Sequence, residues 1–359
     1  MISPQIRIIA HLDMDAFFAA IEERDNPQFR GLPLVVGADP KEGRGRGVVS
    51  TANYKAREYG IRSAMPISTA WQLSQAAKRQ GRPGVIFFPG NYRRVSQRIM
   101  ALVRTVSPTV QVRSIDEAYF DVSLTDSYEK AVEICQDLKK KIHVQEKLTA
   151  SVGIGPNNLI AKIASDYQKP DGLTVVKEEN VEDFLAPLPV RVIPGIGPKT
   201  EAFLLQQGIR AINDARRLTK RQLQDMVGRW GLELYEKFRG RSTSPIIEHE
   251  EVKSVSEQTT FEADTLDPQF IFARLNSLCK NICKRLKEEH FTTFRTVTVT
   301  VRFADFETHT HAHTLPKPAY SLTTLQQDAV KLLLSYLDAR KNPKHKLIRL
   351  IGVRVQKLK

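Results

Sequence analysis

Ser114-Ile115-Asp116-Glu117 sets two adjacent carboxylates at the end of an apolar stretch, Val110, Val112 and Ile115, that reads as a half-buried strand. Far upstream, Ile6, Ile8, Ala10 and Leu12 mark a second such strand, which leads into a third acid, Asp13. Carboxylates carried out of a core beside one another are unfavourable unless cations compensate them. Magnesium suits the set, because this hard ion takes one or two protein carboxylates and fills its shell with water and substrate phosphates. An acidic pair alone is more often a solvated strand end. The metal reading, and with it phosphoryl or nucleotidyl transfer, therefore depends on Asp13 reaching Asp116 and Glu117.

Outward from these strands, residues 15–23 read as a short helix and Leu34–Gly37 as a strand ended by a turn. The loop Gly43-Arg44-Gly45-Arg46-Gly47 leads into Val48-Val49-Ser50, and residues 51–57 read as a helix with Tyr54 and Arg57 on one face. That face can clamp a triphosphate, or Arg57 can simply pair with Glu58 in solvent. Helical spacing recurs over 93–106, 128–147 and 158–166, with a strand over 149–155 and a turn at Lys169-Pro170-Asp171-Gly172. The antiparallel succession around Asp116 to Val122 points to an α+β layer rather than a doubly wound parallel sheet.

A length of 359 residues implies about two to four domains. With 54 Lys+Arg against 40 Asp+Glu, the formal charge of +14 makes polyanions, nucleic acid above all, the natural partners. Cys135, Cys279 and Cys283 form no paired CxxC pattern, which fits a reducing cytosol; a cytoplasmic location follows. Cys279 and Cys283 fall within the helical run Ile271, Leu275, Leu278, Ile282 and Leu286, so core packing is expected there and no zinc site. The N-terminus lacks a signal-peptide pattern, and no apolar run nears the roughly 18 to 20 residues that span a bilayer.

Beyond a proline-punctuated stretch, Gly195-Ile196-Gly197-Pro198-Lys199 is a helix-hairpin-helix signature. Its glycines let the chain turn tightly and aim amides at a DNA phosphate, while Leu204, Leu205, Gly208 and Ile209 read as the second helix and its stop. Residues 239–251 read as a polar linker, and a final domain then follows the order β-α-β-β-α-β: 253–261, 268–289, 295–303, 309–315, 322–340 and 347–356. Val297, Val299, Val301 and Phe303 alternate with Thr296, Thr298, Thr300 and Arg302, which gives one apolar face and one exposed, partly basic face. From Ser254 onward there are 17 Lys+Arg against 10 Asp+Glu, so this face could lie in a DNA groove or be an ordinary solvated sheet. His309, His311 and His313 alternate along one strand and are expected as surface residues.

Taken in order, Asp13-Met14-Asp15-Ala16-Phe17-Phe18, Ser50-Thr51 with Tyr54 and Arg57, Ser114 to Tyr119, Val152-Gly153-Ile154, Lys162-Ile163-Ala164 and Lys169-Pro170 resemble the Y-family DNA polymerases, closest to the DinB or DNA polymerase IV group. The resemblance covers essentially the whole chain. It implies an α+β multidomain right hand: palm (1–15 and 81–175), fingers (16–80), helical thumb with the hairpin motif (176–240), linker (241–252) and a C-terminal βαββαβ little finger (253–359).

The resemblance also implies roles. Asp13, Asp116 and Glu117 match the metal-binding carboxylates and the Met14 carbonyl a backbone ligand, whereas Asp15 does not match a ligand. Two Mg2+ ions would serve attack of a primer 3′-hydroxyl on a dNTP, Asp13 and Asp116 bridging both and Glu117 serving mainly the first. Tyr54, Arg57 and Lys169 match triphosphate-binding positions and Thr51 a further phosphate contact. Phe17 and Phe18 match residues beneath the incoming sugar, and Phe18 the steric gate against a 2′-hydroxyl. Gly195, Gly197 and Lys199 are the expected DNA-backbone contacts. Small residues such as Gly60, Ser63 and Ala64 fit short, open fingers, and nothing resembles a proofreading exonuclease, which implies low-fidelity translesion synthesis on primer-template DNA.

A monomer is expected. Bacterial members commonly end in a short apolar peptide that docks on the sliding clamp, whereas this sequence closes on Val355 to Lys359; the clamp stays a candidate partner. Two rival readings are a non-enzymatic DNA-repair scaffold and a cyclase-like palm without a template. The three carboxylates argue against the first, and the hairpin and final domain against the second.

Overall fold

The computed structural model describes residues 6–248, 251–338 and 340–359, and it divides into two compact units at residues 249 and 250. Those two residues of the expected linker, and residues 1–5 of the expected palm, lie outside the described residues.

The first unit runs β1 (Ile9–Met14), α1 (Phe17–Asp25), β2 (Leu34–Gly37), β3 (Val49–Ala52), α2 (Tyr54–Arg57), α3 (Ile67–Arg79), β4 (Ile86–Phe88), α4 (Arg93–Arg104), β5 (Val110–Val112), β6 (Glu117–Asp121), α5 (Tyr128–Glu146), β7 (Ala150–Gly155), α6 (Asn158–Tyr167) and β8 (Leu173–Val175). Small helices follow: α7 (Val181–Leu185), α8 (Pro198–Gln206), α9 (Ile212–Arg216), α10 (Lys220–Val227) and α11 (Trp230–Phe238). The main sheet has the order β5-β6-β1-β7-β8, antiparallel except for the last pair.

Strand periodicity sorts this sheet into two faces. Ala10, Leu12 and Met14 of β1, Ala118 and Phe120 of β6, and Ala150, Val152 and Ile154 of β7 enter one core with Val95, Ile99 and Val103 of α4 and Cys135, Leu138 and Ile142 of α5. The alternate residues His11, Asp13, Glu117, Tyr119, Ser151 and Gly153 point the other way, toward α6. A Cβ on Gly153 would lie 2.1 Å from the Ala161 carbonyl oxygen, so this position admits only glycine beneath a helix laid so close. The opposite side of α6, with Leu159, Ile160 and Ile163, joins the core of α7 to α11. That single helix thus links the polar face of the main sheet to the core of α7 to α11.

The first strand was expected over 6–12 and instead occupies Ile9–Met14. Asp13 therefore sits inside the ladder rather than past its end, tolerated there because cations meet its carboxylate. The next helix begins at Phe17, after Ala16 in the left-handed region at φ 45°, so Asp15 is not helical. Thr51 lies in β3, paired with Val36, and the helix expected over 51–57 is only the turn Tyr54–Arg57. Asn53 starts that turn, its side-chain oxygen accepting from the amides of Ala56 (2.9 Å) and Leu34 (3.0 Å).

In the second unit, β9 (Ser254–Thr265), α12 (Pro268–Glu288), β10 (Phe294–Phe303), β11 (Thr308–Ala319), α13 (Leu322–Leu337) and β12 (Ile348–Gln356) realise the expected β-α-β-β-α-β order. The antiparallel sheet β11-β10-β12-β9 packs Val297, Val299, Val301 and Phe303 against Ile271, Leu275, Cys279 and Ile282 of α12 and Leu325 and Leu333 of α13. One expectation is corrected. On the other face Thr296 and Thr298 are themselves buried, because β10 is central; exposed polar residues there include Ser256, Gln258, Thr260, Thr310 and Arg354. The three histidines share the register of Val297, Val299 and Val301, and thus the helix side: His313 meets Asp328 of α13 at 2.8 Å. Among the described residues, no helix is long and apolar enough to cross a membrane.

Candidate active site

Register decides whether three acids scattered through the sequence meet. Asp13 is the direct cross-strand partner of Glu117, and the Met14 amide donates to the Asp116 carbonyl at 3.1 Å. Ser114 brackets the acidic pair: its hydroxyl contacts Asp116 Oδ1 and accepts from the amides of Asp116 (3.2 Å) and Glu117 (3.1 Å). The separate stretches 9–14 and 114–117 thus form one acidic patch on the α6 face.

Two lysines meet it. Lys162 of α6 donates to Asp13 Oδ2 at 2.8 Å and Glu117 Oε1 at 2.7 Å, while Lys169 lies 2.6 Å from Asp13 Oδ1. Burial would raise the Asp13 pKa, but Lys162 and Lys169 outweigh it and hold the carboxyl far below its usual range. Burial raises Asp116, with the Asp13 charge adding to it, and burial with the hydrogen bond to Asp13 raises Glu117. Burial would lower both lysines, yet Asp13 and Asp166 keep them charged.

Three carboxylates and the Met14 carbonyl would make an all-oxygen donor set of the kind that suits a hard divalent cation. Among the described residues, no three His, Cys, Asp or Glu side chains are grouped to hold a metal ion as they stand. The Asp13 oxygens face Lys162 and Lys169 instead.

Asp15 has a different task. Its Oδ1 accepts from Ser151 Oγ at 2.8 Å and its Oδ2 from the Asp171 amide at 2.8 Å, which ties the loop bearing Lys169 to the end of β1. Nearby, the Arg57 guanidinium lies 4.6 Å from the centroid of the Tyr54 ring and donates to the Ala52 carbonyl at 3.0 Å. The Tyr54 hydroxyl is buried without a partner; burial and the charge of Asp15 raise its pKa, and Arg57 and Lys169 oppose this. A buried donor left open beside cations is what an anionic ligand oxygen can satisfy.

The two phenylalanines part company. Phe17 is buried in the core of the main sheet. Phe18 is half-buried and stacks on Tyr92 with ring centroids 4.6 Å apart, and the Tyr92 hydroxyl donates to Glu22 at 2.6 Å. Farther along, Gly195 (φ 103°) turns the chain into α8, with Gly197 as its N-cap and Lys199 exposed in the first turn. A Cβ at Gly195 would lie 3.2 Å from the Trp230 ring, and Lys237 donates to the Pro194 carbonyl at 3.0 Å.

Sequence reasoning missed Lys162 as a partner of the acids, Asp166 beside it, Asp15 as a loop anchor, and the Tyr92–Glu22 brace. Helical spacing of Lys162, Asp166 and Lys169 was the available signal for the first two. No local pattern links Tyr92 to Phe18, which are 74 positions apart.

Residues 12–166 match the impB/mucB/samB family, 178–209 the IMS family HHH motif and 252–359 the impB/mucB/samB family C-terminal domain. The chain is 41% identical to DNA polymerase IV 2 of Methanosarcina mazei, over 99% of this chain and 94% of that one. It is 42% identical to DNA polymerase IV of Methanoculleus marisnigri, over 98% and 94% of the two chains. Among solved structures it resembles the Y-family DNA polymerase chimera Dbh-Dpo4(243-245)-Dbh, with TM-score 0.86 and 30% identity over 98% of this chain and 99% of that one. An insertion ternary complex of Dbh DNA polymerase gives TM-score 0.67 at 29% identity over 98% and 99%.

Proposed function

Given that the chain belongs to the impB/mucB/samB family, within the Y-family DNA polymerases of the DNA polymerase IV group, we propose that Asp13, Asp116, Glu117 and the Met14 carbonyl hold two magnesium ions where it joins dNMP to a primer. The chain is a DNA-directed DNA polymerase of the translesion class, acting on DNA and nucleotide, and its family uses divalent metal ions. The scaffold reading is not favoured, since relatives 41% and 42% identical over nearly their full length are named as polymerases. The observation that carries the metal assignment is the cross-strand pairing of Asp13 with Glu117, beside Asp116.

Bound metal would lower the pKa of the primer 3′-hydroxyl and neutralise the triphosphate and the departing pyrophosphate. The chain's own groups do the rest. Asp13 and Asp116 would hold both ions, and Glu117 mainly the one that serves the 3′-hydroxyl. Lys169, Arg57 and the Tyr54 hydroxyl hold the β- and γ-phosphates, with Thr51 a further contact. The Phe17 backbone and the Phe18 ring lie under the sugar, Phe18 excluding a 2′-hydroxyl. Gly195, Gly197 and Lys199 grip a DNA phosphate at the start of α8, which the positive end of that helix favours.

The reading assigns palm (1–15 and 81–175), fingers (16–80), thumb (176–240), linker (241–252) and little finger (253–359), and the separate apolar cluster of the final sheet supports the last of these. A monomer in the cytoplasm, with the sliding clamp as a candidate partner, completes this reading. Primer extension across an abasic template position with magnesium tests it. Binding of primer-template without extension would return the scaffold.

Asp15→Ala releases the Lys169 loop from β1. Each of its two lost hydrogen bonds to a carboxylate is worth roughly 1.5–3 kcal/mol, part of which reappears as weaker nucleotide binding. Steady-state kinetics should show KM for dNTP raised about tenfold with DNA affinity unchanged. An unaltered KM would detach Asp15 from the nucleotide site.

The pH profile follows from the raised Asp116 and Glu117 pKa values. A protonated carboxyl cannot ligate, so activity falls on acidification at a higher pH than ordinary carboxylates would give. Metal competes with the proton. Raising magnesium should therefore move the acid limb to lower pH, and a limb insensitive to magnesium would assign it to another group.

A further inference from the structure

Asp13 and Asp166 each give both carboxylate oxygens to the same two ammonium groups. Lys162 lies 2.8 Å from Asp13 Oδ2 and 3.3 Å from Asp166 Oδ2; Lys169 lies 2.6 Å from Asp13 Oδ1 and 3.0 Å from Asp166 Oδ1. The result is a closed ring of alternating charge, to which Glu117 adds a bond from Lys162 at 2.7 Å. Lys169 has its task at the triphosphate. Lys162 has none there, and it covers the oxygens that a metal ion needs.

Its position is fixed. Helix α6 lies against Gly153 so closely that a Cβ there would meet the Ser165 amide at 2.2 Å, and Ser165 Oγ meets the buried His11 Nδ1 at 2.8 Å. Lys162 cannot leave with its helix; only its side chain can swing. Asp166, one turn on and half exposed, is the acceptor within reach.

We propose that Lys162 is a tethered counter-ion of the metal-binding carboxylates, which a divalent cation must displace from Asp13 and Glu117 and which Asp166 then receives. Two cations competing for the same oxygens at contact distance repel strongly even at a protein surface. Lys162 therefore opposes metal binding, and Asp166 eases the exchange by offering its ammonium a second partner. Lys162 and Asp166 are positioning residues, since neither needs to touch substrate.

This rests on the proposed metal site, and the two can fail separately. Binding of Mn2+ to the full chain without DNA or nucleotide is measured through the paramagnetic resonance signal of the free ion. Lys162→Met should bind Mn2+ about tenfold more tightly than the unaltered chain, and Asp166→Asn several-fold more weakly. In the Lys162→Met chain, Asp166→Asn then reads only the contact of Asp166 with Lys169, so it should weaken Mn2+ binding less than the same change does in the unaltered chain. Asp13→Asn should abolish the site. If Asp13→Asn leaves Mn2+ binding intact, the metal assignment itself is wrong. If it abolishes binding while Lys162→Met binds no more tightly than the unaltered chain, the counter-ion role is overturned. Should Lys162→Met fail to fold, an Asp166→Asn affinity equal to that of the unaltered chain overturns it equally.

Discussion

Asp116→Ala is expected to reduce the rate of nucleotide incorporation by at least about a thousandfold, roughly 4 kcal/mol of transition-state stabilisation. Glu117→Ala should follow it closely. The loss is large because each carboxylate is one of three from two adjacent strands, and no neighbouring acid stands ready to replace it: Asp15 is engaged by Ser151 and Asp171, and Asp166 by the two lysines. Primer-template affinity should stay within about twofold. The proposed phosphate contacts at Gly195, Gly197 and Lys199 lie on α8 and its approach, which pack in the core of α7 to α11 rather than in that of the main sheet. Pre-steady-state incorporation beside a DNA-binding titration checks both halves. Normal turnover in both variants would remove the metal assignment, whereas lost DNA binding would make the acids structural.

Phe18→Ala is expected to lower discrimination against ribonucleotides by about one to two orders of magnitude. Forcing extra atoms against a packed group costs roughly 1–3 kcal/mol, and that cost disappears when the ring is removed. Phe18 can act as a wall because it is backed: Tyr92 stacks on it at 4.6 Å and is anchored through its hydroxyl to Glu22. Tyr92→Leu should therefore give a smaller change in the same direction. Competition between ribonucleoside and deoxynucleoside triphosphates on one template reads the effect. Unchanged selectivity in Phe18→Ala would place the gate elsewhere.

The two outcomes probe different links between sequence and site. The acidic pair was visible because Val110, Val112 and Ile115 mark a strand that ends in Asp116 and Glu117. The proposed gate was suggested only by a family resemblance, since Phe17 and Phe18 look alike in a helix. The fold separates them, burying Phe17 in the sheet core and leaving Phe18 against Tyr92.

The strands that carry the acids, the hairpin glycines, the βαββαβ unit and the identities of the acids follow from the sequence, because each rests on local periodicity or turn chemistry, whereas α3, β4 and the small helices α9 to α11 were not read from it. Where periodicity says nothing about neighbours, the sequence misled. Thr296 and Thr298 read as exposed yet lie buried in a central strand. What only the tertiary structure decided is pairing: Asp13 with Glu117 through strand register, Asp15 with the Lys169 loop, and Lys162 and Lys169 with Asp13 and Asp166. Such pairs are long-range contacts, set by which strand lies beside which and by how closely Gly153 lets α6 approach. Residue type gives the charge of each group, and only packing determines which opposite charge it meets.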